Sequence, residues 1–241
     1  MPKSQHKTLG PRLWDIKTPW TLLMDPEKAG AENLERLVSV YIDPVYAFYR
    51  AQGLSAVDAE DLTQSVLLDF FIVRKSHTQV ERAQGRFRNF LLASARHGLI
   101  NWKKHKQAQR RGGGKAGFSL DQLSAEGVRW EPAGGESPDE EYERQWALAT
   151  WKAALEQFRA KGEARLIEAF DLFYFGPGKI SQQEAAEKLG TSVAAFNSRM
   201  HNARRRVFEC VREIVRVTVE SEEELNEELN RIREHLNRCG I

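Results

Sequence analysis

The chain has 241 residues, 41% of them hydrophobic and 29% charged, with a formal net charge of +2. That balance fits a folded helical protein and argues against intrinsic disorder, and no run approaches eighteen apolar residues, which argues against a membrane span. The opening MPKSQHKTLGPRLW has no apolar signal core, and Cys210 and Cys239 have no CxxC spacing, so a reduced cytoplasmic protein is expected, with no disulfide framework, no zinc site and no cofactor.

Residues 1–30 read as an N-terminal extension. Residues 31 to 51 predict a helix, interrupted or bent at Asp43-Pro44, because proline disfavours helical backbone in the residue before it. Gly53-Leu54-Ser55 closes this element and opens another. Ser55 is a good N-cap, with Asp58 three residues on as a capping-box variant. The helix it starts is expected to run to about Arg74, and it is too apolar for one stripe. Ala59, Leu62, Val66, Phe70 and Val73 line one face. Leu68, Phe71 and Ile72 gather on another, with Asp61 and Gln64 nearby. This second face is either an acid-rimmed protein-docking surface or the mark of a helix buried on two sides.

Residues 76 to 85 read as a loop. A helix from about Arg86 to Gln109 follows. Phe90, Leu91, Ser94, Ala95, Gly98, Leu99 and Trp102 fall within one broad stripe, while Arg88, Arg96, Asn101, Lys103, Lys104 and Lys106 lie mostly off it. Such a helix packs by one side and offers cations on the others. Trp102 sits by angle beside Leu91 and Ala95, which favours a core role. Stacking on a base is the alternative.

Residues 111 to 138 are rich in Gly, Ser and Pro and read as a flexible linker. A second helical region begins near Asp139, with Tyr142, Trp146, Ala149, Ala153 and Phe158 as its apolar stripe. Further helices are expected over about 163 to 174, 181 to 189, 192 to 217 and 221 to 237. The expected fold class is all-α, with helical domains at 31–110 and 139–217 on a flexible joint and an acidic extension at 218–241.

Charge alternates along this plan. Arg82 to Leu120 holds ten Lys and Arg and no acid, and Asp121 to Glu143 holds eight acids against Arg129. Arg199 to Arg216 holds six arginines against Glu209 and Glu213, and from Glu220 onward seven acids face three arginines. Two separated basic blocks predict two anion-binding surfaces, with nucleic acid the usual partner.

The most specific motif is ISQQEAAEKLGTSVAAFNSRMHNARRR, residues 180 to 206. Ser181 and Glu184 form an S-x-x-E capping box. Ala185, Ala186 and Leu189 give a small packed face. Gly190 stands where a helix end needs a left-handed residue. Ser192 caps the next helix, whose inward row is Val193, Phe196 and Met200. Its free face shows Asn197, Ser198, His201, Asn202, Arg204 and Arg205. This is the pattern of a helix-turn-helix that reads DNA, since amides pair with adenine and arginine with guanine or phosphate.

DAEDLTQSVLLDFF, GRFRNFLLASARHGLINWKKHKQAQRRGGG and this helix-turn-helix, in that order, resemble an RNA polymerase sigma factor of the extracytoplasmic-function (ECF) group. The similarity is greatest to the ECF-like sigma factors of planctomycetes. It extends to TPWTLLMDPE, the FSLDQL and EPA fragments of the linker, PDEEYERQWALA and the tail from Glu213 to Leu236. The resemblance implies a sigma region 2-like bundle, a sigma region 4-like helix-turn-helix, and no catalysis of its own. It implies that Asp58, Asp61, Gln64, Leu68 and Phe71 meet the clamp coiled coil of core RNA polymerase. Arg86, Arg88, Asn89, Arg96, Asn101, Lys103 and Lys104 would hold the melted −10 element of promoter DNA. Asn197, Ser198, His201 and Asn202 would read the −35 element, with Ser192, Arg199 and Arg204 on phosphates. An anti-sigma factor is a further partner the resemblance admits.

Three positions depart from the family pattern. Asn197 and Asn202 stand where the family often has Arg or Lys, and Phe196 where it commonly has valine. The acidic tail reads as a regulatory helix over a basic face, a docking helix for polymerase, or a solvated helix on its own domain. The competing function is a helix-turn-helix regulator that binds an operator without acting as a sigma factor. An enzyme on DNA is set aside. The six histidines are scattered, and the basic segment has no carboxylate to hold a metal. No small-molecule substrate or membrane partner is expected.

Overall fold

The computed structural model describes residues 31–70, 87–112, 137–219 and 221–240. These form eight α-helices and no strand: α1 (Ala31–Ala51), α2 (Ala56–Leu68), α3 (Phe87–Gly112), α4 (Pro138–Lys161), α5 (Ala164–Phe175), α6 (Gln182–Lys188), α7 (Val193–Arg216) and α8 (Glu222–Arg238). The all-α class is as expected.

Local chemistry accounts for most helix ends. The Asp58 amide donates to Ser55 Oγ at the start of α2. Full capping boxes open α4 at Ser137/Glu140 and α6 at Ser181/Glu184. At Gly190, φ is +58°, and the Thr191 amide reaches back to the Ala186 carbonyl at 3.0 Å, closing α6 as its glycine predicted.

The interruption expected at Asp43-Pro44 does not occur. Helix α1 passes through Pro44 without interruption. Val40, Tyr41, Val45, Phe48 and Tyr49 are buried on both sides of the proline, so packing holds the helix across the missing hydrogen bond.

The two helical units also share packing. Val40, Tyr41, Leu62, Leu91 and Leu99 from the first share one apolar cluster with Tyr142, Trp146, Ala154, Val211 and Val215 from the second. Leu225, Leu229, Ile232 and Leu236 of α8 complete it. A smaller cluster, built on Phe158, Phe170, Ala185, Ala186, Phe196 and Met200, lies under the helix-turn-helix. Helix α4 is the shared wall. Its buried positions include Tyr142, Trp146, Ala147, Thr150, Ala154 and Leu155, whereas Ala149 and Ala153 of the expected stripe are only half-buried. A helix packed by α1 on one side and by α7 and α8 on others has no single stripe to find.

Candidate polymerase and nucleic-acid interfaces

Helix α2 buries Ala59, Leu62, Thr63, Val66 and Leu67. Its opposite side carries Val57, Asp61, Gln64 and Leu68, at i, i+4, i+7 and i+11, and all four are exposed. Leu68 keeps 51% of its surface and Val57 68%, so both aliphatic side chains lie open on this side. The reading of α2 as buried on two sides therefore fails among its described residues. Val57 belongs to this stripe and was missed, although its place one turn before Asp61 signalled it. Phe71 lies outside the described residues.

Asp58 is placed differently. It accepts from Ser55 Oγ at 2.8 Å, and its Oδ1 lies 3.3 Å from Lys106 Nζ of α3. It holds the Ser55 cap of α2 and ties the helix to the basic one. Gly98 lets the two helices meet. A Cβ there would come within 2.5 Å of Val66 Cγ2 and 3.1 Å of the Tyr49 hydroxyl, which itself donates to the Ala95 carbonyl at 3.0 Å.

On α3, Phe87, Leu91, Leu92, Ala95 and Leu99 are buried. Asn89, Arg96, Asn101, Lys103 and Lys104 are exposed. Trp102 is half-buried and packs on the core cluster. The Lys106 ammonium lies 5.2 Å from its ring centroid. One side of the indole thus meets core and a cation occupies one face, so the core reading holds for the ring as placed. Lys106 was missed as a functional side chain; its i+4 spacing from Trp102 was the available signal.

Arg88 departs most from expectation. Only 3% of its side chain is exposed. Its Nε donates to Glu228 Oε2 at 2.6 Å and its Nη2 to Glu228 Oε1 at 3.2 Å, a fork on a carboxylate of α8. Its Nη1 forms an ion pair with Glu143 of α4. The guanidinium lies 5.0 Å from the Trp146 ring centroid, and the Tyr142 hydroxyl donates to the Arg88 carbonyl at 3.1 Å. In this arrangement Arg88 is not offered to DNA, because a buried guanidinium takes carboxylate partners wherever the fold supplies them. Burial also pushes the phenols of Tyr41 and Tyr142 well above the usual tyrosine range, against the pull of Arg88, so both stay neutral. Arg96 pairs with Asp139 at 2.5 Å on the surface between α3 and α4. Arg86 lies outside the described residues.

The helix-turn-helix follows the motif closely. Ala185, Ala186, Phe196 and Met200 are buried, and Asn197, Ser198, His201 and Arg204 are exposed. Asn202 and Arg199 are half-buried. Val193, expected to face inward, is 41% exposed. It is the first residue of α7. Ser192 serves first as the N-cap, accepting from the Ala195 amide at 3.2 Å, and its hydroxyl hydrogen remains available to an acceptor. Arg204 donates from Nε to the Tyr174 hydroxyl at 2.8 Å. No short-range signal marks Tyr174, which is thirty residues away in sequence.

A family model described as ECF sigma factor matches residues 27–213. The chain belongs to the ECF sigma factors. No curated protein sequence matches it. The matched span runs from before α1 to near the end of α7, so this sigma factor carries α8 beyond the part its family model describes. A role in transcription initiation, with core RNA polymerase and promoter DNA as partners, follows from membership. Among the described residues, no helix is long and apolar enough to cross a membrane.

Proposed function

We propose that this sigma factor binds the clamp coiled coil of core polymerase through α2, holds and melts the −10 element on α3, and reads the −35 element with α7. The observation that carries the reading is the exposed Val57–Asp61–Gln64–Leu68 stripe on a helix whose other side is core. A surface of aliphatic residues between acids suits a protein partner, and an operator-binding regulator has no use for it. Phe71 extends the same spacing, and Asp58 joins it at the edge.

For the −10 element, Asn89, Arg96, Asn101, Lys103 and Lys104 supply exposed donors and cations along one helix, with Arg86 just ahead of it. A single strand needs such cations along its phosphates. For the −35 element, Asn197, Ser198, His201 and Asn202 lie toward the N-terminal half of α7, the part of a recognition helix that enters the major groove. Ser192, Arg199 and Arg204 flank them as phosphate contacts. The region 2-like unit spans 31–110 and the region 4-like unit 139–217, joined through 111–138. The TPWTLLMDPE, FSLDQL and EPA fragments support a place in the planctomycete ECF-like subfamily. The packed halves would present one composite surface to an anti-sigma factor.

Transcription reconstituted with cognate core polymerase and mapped start sites tests this reading. A promoter-specific transcript that Leu68→Asp abolishes is expected. Absence of both core binding and any specific transcript would overturn it.

A further inference from the structure

The interior of this sigma factor holds a charge cluster that stability alone does not explain. Arg88 of α3, Glu143 of α4 and Glu228 of α8 meet with almost no solvent around the guanidinium. Removing such charges from water is costly, and apolar side chains of similar size commonly do as well or better in the same place. A buried ion pair is worth having where the contact must also come apart, because water solvates both partners once they separate. Three elements are joined here that lie far apart in sequence, and α8 lies beyond the span matched by the family model.

We propose that α8 is an internal inhibitory helix, and that Glu228, with Glu143, forms a clasp that keeps Arg88 from nucleic acid and the two halves of the chain packed. The inference rests on the sigma reading of α3. Three observations carry it. Glu228 engages Arg88 with both carboxylate oxygens, as a phosphate would, so DNA and α8 compete for the same fork. The α8 residues Leu225, Leu229, Ile232 and Leu236 dock it on the shared core, which presents Glu228 at high effective concentration. Arg96–Asp139 repeats the arrangement at the surface, again pairing an α3 cation with an α4 acid. The chain between Gly112 and Ser137 can span tens of ångströms at about 3.3 Å per residue, so it does not prevent the halves from separating.

The test uses the full chain and Glu228→Gln, which keeps the side-chain shape and removes the charge. Binding to a fluorescein-labelled single-stranded oligonucleotide is followed by anisotropy across salt, with the radius of gyration from X-ray scattering. If the packed form holds about nine molecules in ten, opening tightens binding up to about tenfold. Freeing one arginine also steepens the salt dependence by about 0.7. The expected result is tighter binding, a steeper slope and a larger radius. A folded Glu228→Gln chain with unchanged affinity, slope and radius overturns the clasp, even if it melts earlier. Should the variant not fold, hydrogen exchange of the unaltered chain decides. Loss of α8 amide protection on forming the promoter complex with core polymerase supports the proposal, and retained protection overturns it. Promoter-specific transcription by the unaltered chain keeps failure of the clasp separate from failure of the sigma reading.

Discussion

Arg204 of the recognition helix is held by Tyr174, the penultimate residue of α5, whose hydroxyl accepts from its Nε at 2.8 Å. The phenol is itself braced, 4.7 Å between ring centroids from Phe170 and edge-on to Phe173 at 5.4 Å. Phe173 in turn lies 5.7 Å from Phe196. An aromatic chain thus runs from the recognition helix core to the guanidinium that would meet a phosphate. Tyr174→Phe keeps the packing and removes the acceptor. Duplex −35 binding is expected to weaken by about 1 kcal/mol, roughly fivefold, at unchanged melting temperature. Fluorescence anisotropy on a −35 duplex gives the first number and thermal unfolding the second. Equal affinities would show that Arg204 does not need the phenol.

Gly98→Ala sets two effects against each other. Alanine favours a helix by up to about 1 kcal/mol over glycine. The added Cβ would meet Val66 Cγ2 at 2.5 Å, and a β-branched side chain in a buried helix cannot turn aside. Overpacking of this kind costs about 1–3 kcal/mol, and the Tyr49–Ala95 hydrogen bond lies in the path. Net destabilisation of about 1 kcal/mol is expected in urea unfolding. A more stable variant would mean that α2 and α3 adjust freely.

Leu68→Ala trims a half-exposed side chain that is not part of the buried core among the described residues. Its effect on stability should stay within about 0.5 kcal/mol. Core polymerase affinity should fall by about 1–2 kcal/mol if Leu68 is an anchor of that interface. Competition for core by a labelled second sigma factor reads the difference.

Trp102→Leu tests the placement of the indole. The ring packs on the core and lies under Lys106, so the variant should lose about 1–3 kcal/mol of stability and release Lys106 from its stacked position. Promoter melting, read by permanganate reactivity of unpaired thymines, should persist in the folded variant. Abolished melting with intact folding would show instead that the ring turns out to stack on a base.

Acid should loosen two helix starts before the core. Hydrogen bonds from the Ser137 and Ser181 backbones hold the exposed carboxyls of Glu140 and Glu184 below the ordinary glutamate value. A carboxyl held lower in the folded state stabilises fully above its unfolded value and loses that effect as pH falls through the folded one. Wild type should therefore exceed Glu184→Gln in stability near neutral pH, and the gap should close as pH drops below about 4, where carboxyls protonate. Circular dichroism melts at several pH values measure the gap. A gap that persists undiminished in acid would place the capping effect elsewhere.

What the sequence determined here is local. Ser55, Ser181, Gly190 and Ser192 announce helix ends because caps and left-handed residues act over three or four positions, and each does so in the structure. The inward row at Phe196 and Met200 and the exposed amides and cations of α7 follow from a single helical period. The buried face of α2 was legible for the same reason, and so was the stripe of α3. Tertiary structure decided what covers what. Helix α4 is walled on several sides, so its pattern carries no clear direction. Pro44 stays within α1 because neighbours pack on both sides of it. The role of Arg88 depends on Glu228, 140 positions away, and the linear order contains no signal that the two meet. A charged side chain reads as surface until the fold surrounds it with carboxylates, and only the packing of α8 on α4 and α7 brings Glu228 to Arg88.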